Sequence, residues 1–154
     1  LRRLASIKNF MGGKFSTMDG YYTYELLRAV RGQSFIYIVG CETMFYAGLF
    51  LGSRACIGQG AILNPQIINA MLDRYRSGNY FGVMRAEDAI NTLVQNITNP
   101  VDFLKIYATE KGYATPLYSR SQKSNPYMTD RDPITKEEYD RFKSVYETEL
   151  IPYL

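Results

Sequence analysis

The chain has 154 residues, nearly half of them apolar, which is enough for one domain with a sizeable core and excludes a disordered polymer. Its net charge of +3 comes from scattered basic residues, Arg2-Arg3 being the one doublet, so no nucleic-acid surface is implied, and no apolar run approaches the ~20 residues of a membrane span. Histidine is absent, which excludes serine–histidine and cysteine–histidine nucleophilic systems and histidine-based zinc sites within this chain.

Leu4 to Ile7 reads as a helix end or linker running into a strand over Phe10–Ser16. Side chains alternate along a strand, so Gly12, Lys14 and Ser16 share one face and Gly13 and Phe15 the other. Phe15 then packs outward under a helix. Lys14 points the opposite way, with a glycine two residues before it and a hydroxyl two residues after. An amine in such a setting can be desolvated, lose its proton and attack carbonyls. The same residue also fits an edge-strand lysine that blunts aggregation.

Thr17-Met18-Asp19 starts a helix with the apolar stripe Leu26, Leu27 and Val30, and Gly32 ends it. Phe35–Val39 is a continuous β-branched and aromatic run, the pattern of a strand buried on both faces. Gly40-Cys41-Glu42-Thr43 closes it. Met44–Leu51 is a short apolar helix stopped by Gly52, and Ala55–Gly60 a third strand ending in glycines. The alternation of strand and helix predicts an α/β fold with right-handed parallel crossovers. Chemistry in such folds gathers at the carboxyl ends of strands, where Ser16, Gly40–Glu42 and Gly58-Gln59 fall.

The remainder reads as helices. Asn64-Pro65 and Asn99-Pro100 are each an N-cap followed by proline at the first helical position. Between them lie the faces Ile67, Ile68, Met71, Leu72, Tyr75 and Val83, Ala86, Ile90, Leu93, Ile97. The helix after Pro100 stops at Gly112. Thr115–Asp132 reads as a long polar loop, and Thr135-Lys136-Glu137-Glu138 as the capping box of a last helix that ends before Pro152. Asn96-Ile97-Thr98 matches a glycosylation acceptor by chance in a helix. Cys41 and Cys56, in apolar surroundings, read as reduced core thiols of a cytoplasmic protein without a visible signal peptide. Three parallel strands would leave two bare edges, and the chain opens on Leu1, so it reads as a piece of something larger.

In order and spacing, these motifs resemble the dihydrodipicolinate synthase/N-acetylneuraminate lyase family, the lysine-dependent pyruvate aldolases on a (β/α)8 barrel. Gly13-Lys14-Phe15-Ser16 is similar to the family's G-K-F-S strand, whose lysine forms the Schiff base. Gly40-Cys41-Glu42-Thr43 lies where the family has glycine, any residue, aspartate, then glutamate or another polar residue. Ala55–Gln59 lies where it has a G-x-I-G-S-type strand. Asn99-Pro100-Val101 with Lys105 is similar to its N-P-x-x-x-K helix start, and Arg131–Ile134 to its closing proline loop.

The resemblance implies the C-terminal half of the barrel, about strands six to eight. Residues 1–62 would be three βα units, and 63–154 the last barrel helix and a C-terminal helical extension. A whole barrel takes ~250 residues. It further implies Lys14 as the catalytic lysine, its pKa lowered by burial, and Ser16, Gly40, Glu42, Thr43, Ile57, Gly58 and Gln59 around the substrates. The partners implied are a small 2-oxo acid and an aldehyde, with no cofactor beyond the lysine imine and no metal. The assembly implied is a homotetramer.

Glu42, Thr43 and Gln59 depart from the family's aspartate, glutamate and serine, which leaves the aldehyde unnamed. Lys14-Phe15-Ser16 leans toward the neuraminate lyases. A dihydrodipicolinate synthase or an aldolase of 2-keto-3-deoxy sugar acids is the alternative. Two other classes stay open. One is a dinucleotide-binding module, because Gly58-Gln59-Gly60 follows a strand, although Leu63 occupies the third glycine position. The other is a barrel relative without catalysis.

Overall fold

The computed structural model describes residues 1–58, 63–116 and 133–154. A short helix, α1 (Arg2–Ala5), ends two residues earlier than the Leu4–Ile7 expected and precedes β1 (Gly12–Phe15), which is shorter than the expected Phe10–Ser16. β1 pairs in parallel with β2 (Ile36–Val39), and β2 with β3 (Ala55–Cys56), in the sheet order β1-β2-β3. The register sets Lys14 beside Ile38 and Phe15 beside Val39, then Ile38 beside Ala55 and Val39 beside Cys56.

The crossovers are α2 (Gly20–Val30) and α3 (Phe45–Leu51). Asp19 caps α2 by accepting the Tyr22 N–H at 2.9 Å. A 3-10 turn over Glu42–Met44 leads into α3, so helical backbone begins two residues earlier than Met44. α3 ends on Gly52 at φ 107°, a left-handed conformation that costs glycine little. α3 lies close on β2 through Gly48, where a methyl group would strike the Val39 side chain. The buried Ser53 then ties the next strand in, its hydroxyl lying 2.9 Å from the Tyr37 carbonyl and 3.1 Å from that of Ala55.

The sheet is buried on one face only. Phe15 stacks on Tyr37 with ring centroids 4.7 Å apart, and Tyr37 and Val39 are buried under the helices. On the other face Ile36 is 48% exposed and Ile38 half-buried. This corrects the expectation of a strand buried on both faces. The inner side of a barrel is filled by side chains from strands across it, and three strands enclose nothing. β3 is also shorter than the Ala55–Gly60 expected, although the Ile57 N–H still donates to the Val39 carbonyl at 2.8 Å.

Among the described residues four further α-helices follow: α4 (Pro65–Arg76), α5 (Tyr80–Asn96), α6 (Pro100–Glu110) and α7 (Lys136–Leu150). Asn79 and Asn99 cap α5 and α6 by accepting N–H groups at 2.9 and 3.1 Å, and the Thr135–Glu138 capping box is complete. Asn64 differs from expectation. Its side chain makes no cap bond, and its Oδ1 is buried without a hydrogen-bond partner. The adjacent Leu63 carbonyl accepts the Tyr146 hydroxyl instead, which fixes this junction to α7.

One hydrophobic core runs from Tyr37, Val39, Phe45 and Leu49 through Ile67, Met71, Val83 and Ile90 to Phe103, Phe142 and Tyr146. The helical extension therefore packs directly on the βα units, and its aromatic end gathers Tyr107, Tyr139, Phe142 and Tyr146 around Phe103. Among the described residues no helix is long and apolar enough to cross a membrane.

Candidate active site

The carboxyl ends of the three strands converge on a groove of about 560 Å³. Each strand end brings one part of it. From β1 comes Lys14, whose side chain crosses Gly40 at the end of β2; a methyl group on Gly40 would collide with Lys14 Cε and lie 2.5 Å from Ser16 Oγ. The Ser16 hydroxyl donates to the Gly40 carbonyl at 3.4 Å, and the Gly40 N–H donates to the Phe15 carbonyl at 2.9 Å. Gly40 thus sits where β1 and β2 stay bonded past their last paired residues, with no side chain between the lysine and the strand.

From the turn after β2 come Glu42 and Thr43. The Glu42 side chain is 8% exposed and lies against Gly58, where a methyl group would collide with its carboxylate. The Thr43 hydroxyl is 3.0 Å from the Cys41 sulfur. From the end of β3 come Ile57, which stands exposed at the groove wall, and Gly58. Lys14, Gly40, Glu42, Thr43, Ile57 and Gly58 therefore line one groove, and Ser16 adjoins it through Gly40. Gln59 lies outside the described residues, as do Gly60, Arg131, Asp132 and all of the polar loop from residue 117 on.

Three lining residues were not among the expected site residues: Met18, Val94 and Cys41, the last read as a core thiol. Met18 follows the strand directly. Val94 comes from α5 and stands next to Leu93 of the core stripe, with no pattern in the sequence to mark it.

Lys14 is exposed. The burial that the resemblance implies is burial within a whole barrel, which the three described strands do not enclose. Of the two thiols, Cys56 packs against the hydrophobic core. Both are free and half-buried. Burial, with the neighbouring charge of Glu42 and Glu87, pushes the Cys56 thiol up to about 12, which keeps it protonated at neutral pH. No group of three histidine, cysteine, aspartate or glutamate side chains able to hold a metal ion is found among the described residues.

A second cavity, of about 430 Å³, opens at the other ends of the strands beside Met11, Ile36, Arg31 and Arg54. Its lining has neither a lysine nor a carboxylate.

No family model matches the sequence, and no curated protein matches it. Solved structures do. The 4-hydroxy-tetrahydrodipicolinate synthase of Methylacidiphilum fumariolicum SolV superposes with a TM-score of 0.75 at 20% identity, over 99% of this chain and 49% of that one. The N-acetylneuraminate lyase of Proteus mirabilis gives a TM-score of 0.68 at 19% identity, over 92% and 44%. An E. coli K12 prophage protein of the dihydrodipicolinic acid synthase family, in complex with pyruvate, gives 0.72 at 17%, over 94% and 47%.

The fold is that of the C-terminal half of a dihydrodipicolinate synthase/N-acetylneuraminate lyase barrel.

At these identities the likeness is one of fold, and the chain spans about half the length of the structures it matches. The half-barrel explains the open sheet. Its unpaired inner face is the surface that a (β/α)8 barrel closes with its remaining strands.

Proposed function

We propose that this chain is the lysine-bearing half of a Schiff-base aldolase, which cleaves or condenses a 2-oxo acid, pyruvate, with an aldehyde. The observation that carries this reading is the passage of Lys14 across Gly40 at the strand ends, in one groove with Glu42, Thr43, Ile57 and Gly58. The neighbour that is a complex with pyruvate supports the choice of 2-oxo acid. The run Lys14-Phe15-Ser16 favours an N-acetylneuraminate lyase-like substrate over aspartate semialdehyde.

In the proposed reaction the neutral Lys14 amine attacks the ketone carbon. A carbon–nitrogen bond forms, the ketone oxygen leaves as water, and a protonated imine remains. In the cleavage direction the hydroxyl two carbons from the imine carbon gives up its proton to a base, and the bond between that carbinol carbon and the α-carbon breaks. Its electron pair becomes the carbon–carbon double bond of an enamine as the imine pair moves onto nitrogen, and the carbinol carbon departs as the aldehyde. Attack requires an uncharged amine. Closure of the barrel over Lys14 would remove water and disfavour the ammonium form. Ser16 would hydrogen-bond a substrate hydroxyl or a water. The backbone at Gly40 and Gly58 would approach the carboxylate end, and Ile57 would wall the methyl side. Glu42, one methylene longer than aspartate, would accept bonds from hydroxyls of the second substrate. Within this chain, which has no histidine, proton transfer would use lysine, tyrosine, a carboxylate, a substrate group or water.

The test is intact mass after incubation with pyruvate and borohydride, on the chain alone and within its complete barrel. A reduced pyruvate adduct mapped to Lys14, and lost in Lys14→Ala, is the expected result. An adduct confined to the complete barrel would assign the desolvation of Lys14 to the other half. No adduct in either form, or an undiminished one in Lys14→Ala, would overturn the aldolase reading.

A further inference from the structure

Glu87 lies on α5 seven residues before Val94, so the two share one face of the helix about two turns apart. Val94 lines the groove. Glu87 reaches the backbone below it, where its Oε2 accepts the Tyr46 N–H at 3.2 Å from 41 residues away in sequence. Tyr46 is the second residue of α3, with Phe45 between it and the turn that carries Glu42 and Thr43. The Glu87 side chain is 8% exposed, and its Oε1 is buried with no hydrogen-bond partner. Buried carboxyl oxygens are rarely left in that state, and each one asks for a reason. Its neighbours on the core side of α5, Val83, Ala86, Ile90 and Leu93, are all apolar.

The charges acting on Glu87 are acidic: Asp88 on its own helix and Glu42 on the turn. On the adjoining β3, the Cys56 thiol senses both Glu42 and Glu87. α4 and α7, which also pack on α5, bring no charge that acts on it.

We propose that Glu87 is a positioning residue, which reaches from the helical extension to hold the turn bearing Glu42 and Thr43 and so sets where that rim of the groove stands. Its consequence for substrate rests on the aldolase reading; its geometry does not. The device has two settings. Burial pushes the carboxyl up to about 7. When ionised, it grips the Tyr46 N–H with a charge-assisted bond and repels Glu42. When protonated, it loosens that bond, relieves the repulsion, and turns one oxygen into a donor. The hold on the rim then weakens or strengthens as pH crosses neutrality.

The experiment follows the backbone amides of Glu42, Thr43, Met44 and Tyr46 by NMR across neutral pH, in the full chain and in Glu87→Gln. Glutamine keeps the shape and an acceptor for Tyr46 but cannot titrate. We expect the four amides to shift together in the wild type with one midpoint near 7, and to stay flat in Glu87→Gln. Flat amides in the wild type would overturn the proposal. So would a titration of Glu42–Met44 that persists in Glu87→Gln, since another group would then hold the turn. Pyruvate trapping on Lys14, run on the chain and on the complete barrel, reads the aldolase proposal separately: its absence from both sinks that reading and leaves the amide result to decide this one.

Discussion

The Lys14 side chain runs over Gly40, and the space it uses is the space a β-carbon on residue 40 would fill. Gly40→Ala therefore displaces the end of a flexible side chain more than it displaces backbone. We expect the thermal midpoint to change little, while the rate of pyruvate imine trapping in the complete barrel falls about a hundredfold, the usual cost of misplacing a reacting group by about 1 Å. Trapping at the wild-type rate would show that the lysine reaches substrate by another path.

Stability should depend on pH through Glu87. Its folded value of about 7 lies above the 4.5 of the free carboxyl. Below 4.5 the group is neutral folded and unfolded, and contributes no difference. Between these values only the unfolded chain ionises, so stability falls as pH rises, and above 7 the loss is complete at roughly 3 kcal/mol. Thermal melts of Glu87→Gln should lack this component, so its midpoint gains on wild type from acid to neutral pH. A constant difference between the two proteins would contradict the raised value.

Cys56 should resist alkylation. With its thiol pushed up to about 12, the reactive thiolate is scarce at neutral pH. Iodoacetamide should label it at least about a hundredfold more slowly in the native chain than after denaturation, measured by peptide mass. Equal rates would mean that the residue is neither buried nor held in the field of Glu42 and Glu87.

Phe103 anchors the far end of the core. It is fully buried, with Phe142 edge-on at 4.5 Å and Tyr107, Tyr139 and Tyr146 each at 5.4 Å. Phe103→Ala should cost about 3–5 kcal/mol in denaturant unfolding, because the rings around it are too constrained to collapse into the space. A cost below about 1 kcal/mol would show a core that repacks freely.

The helix caps and strand positions could be read from local signals. Asp19, Asn79, Asn99 and the Thr135–Glu138 box each act within a few residues of themselves, and the period of two placed Lys14 opposite Phe15. Asn64 carried the same signal as Asn99 and failed. Its neighbour Leu63 is held by Tyr146 from 83 residues away, and a local rule cannot weigh such a bond. The run Phe35–Val39 was read as buried on both faces because its inner residues are apolar. Apolar residues on that face fit a closed barrel, and only the coordinates show how much of the barrel these strands enclose.

The candidate site divides in the same way. Gly40, Glu42 and Gly58, with Lys14 just inside a strand end, were legible because parallel crossovers bring strand ends to one side, while Thr43 and Ile57 followed only from the family resemblance. Val94 and Glu87 were not, since their places depend on how α5 crosses the sheet. The sequence by itself determined the alternation of strand and helix and the lysine at a strand end, for these rest on propensity and spacing along the chain. The tertiary structure alone decided that Glu87 meets Tyr46 and that the inner face stands open, because contacts between residues distant in sequence are settled by packing.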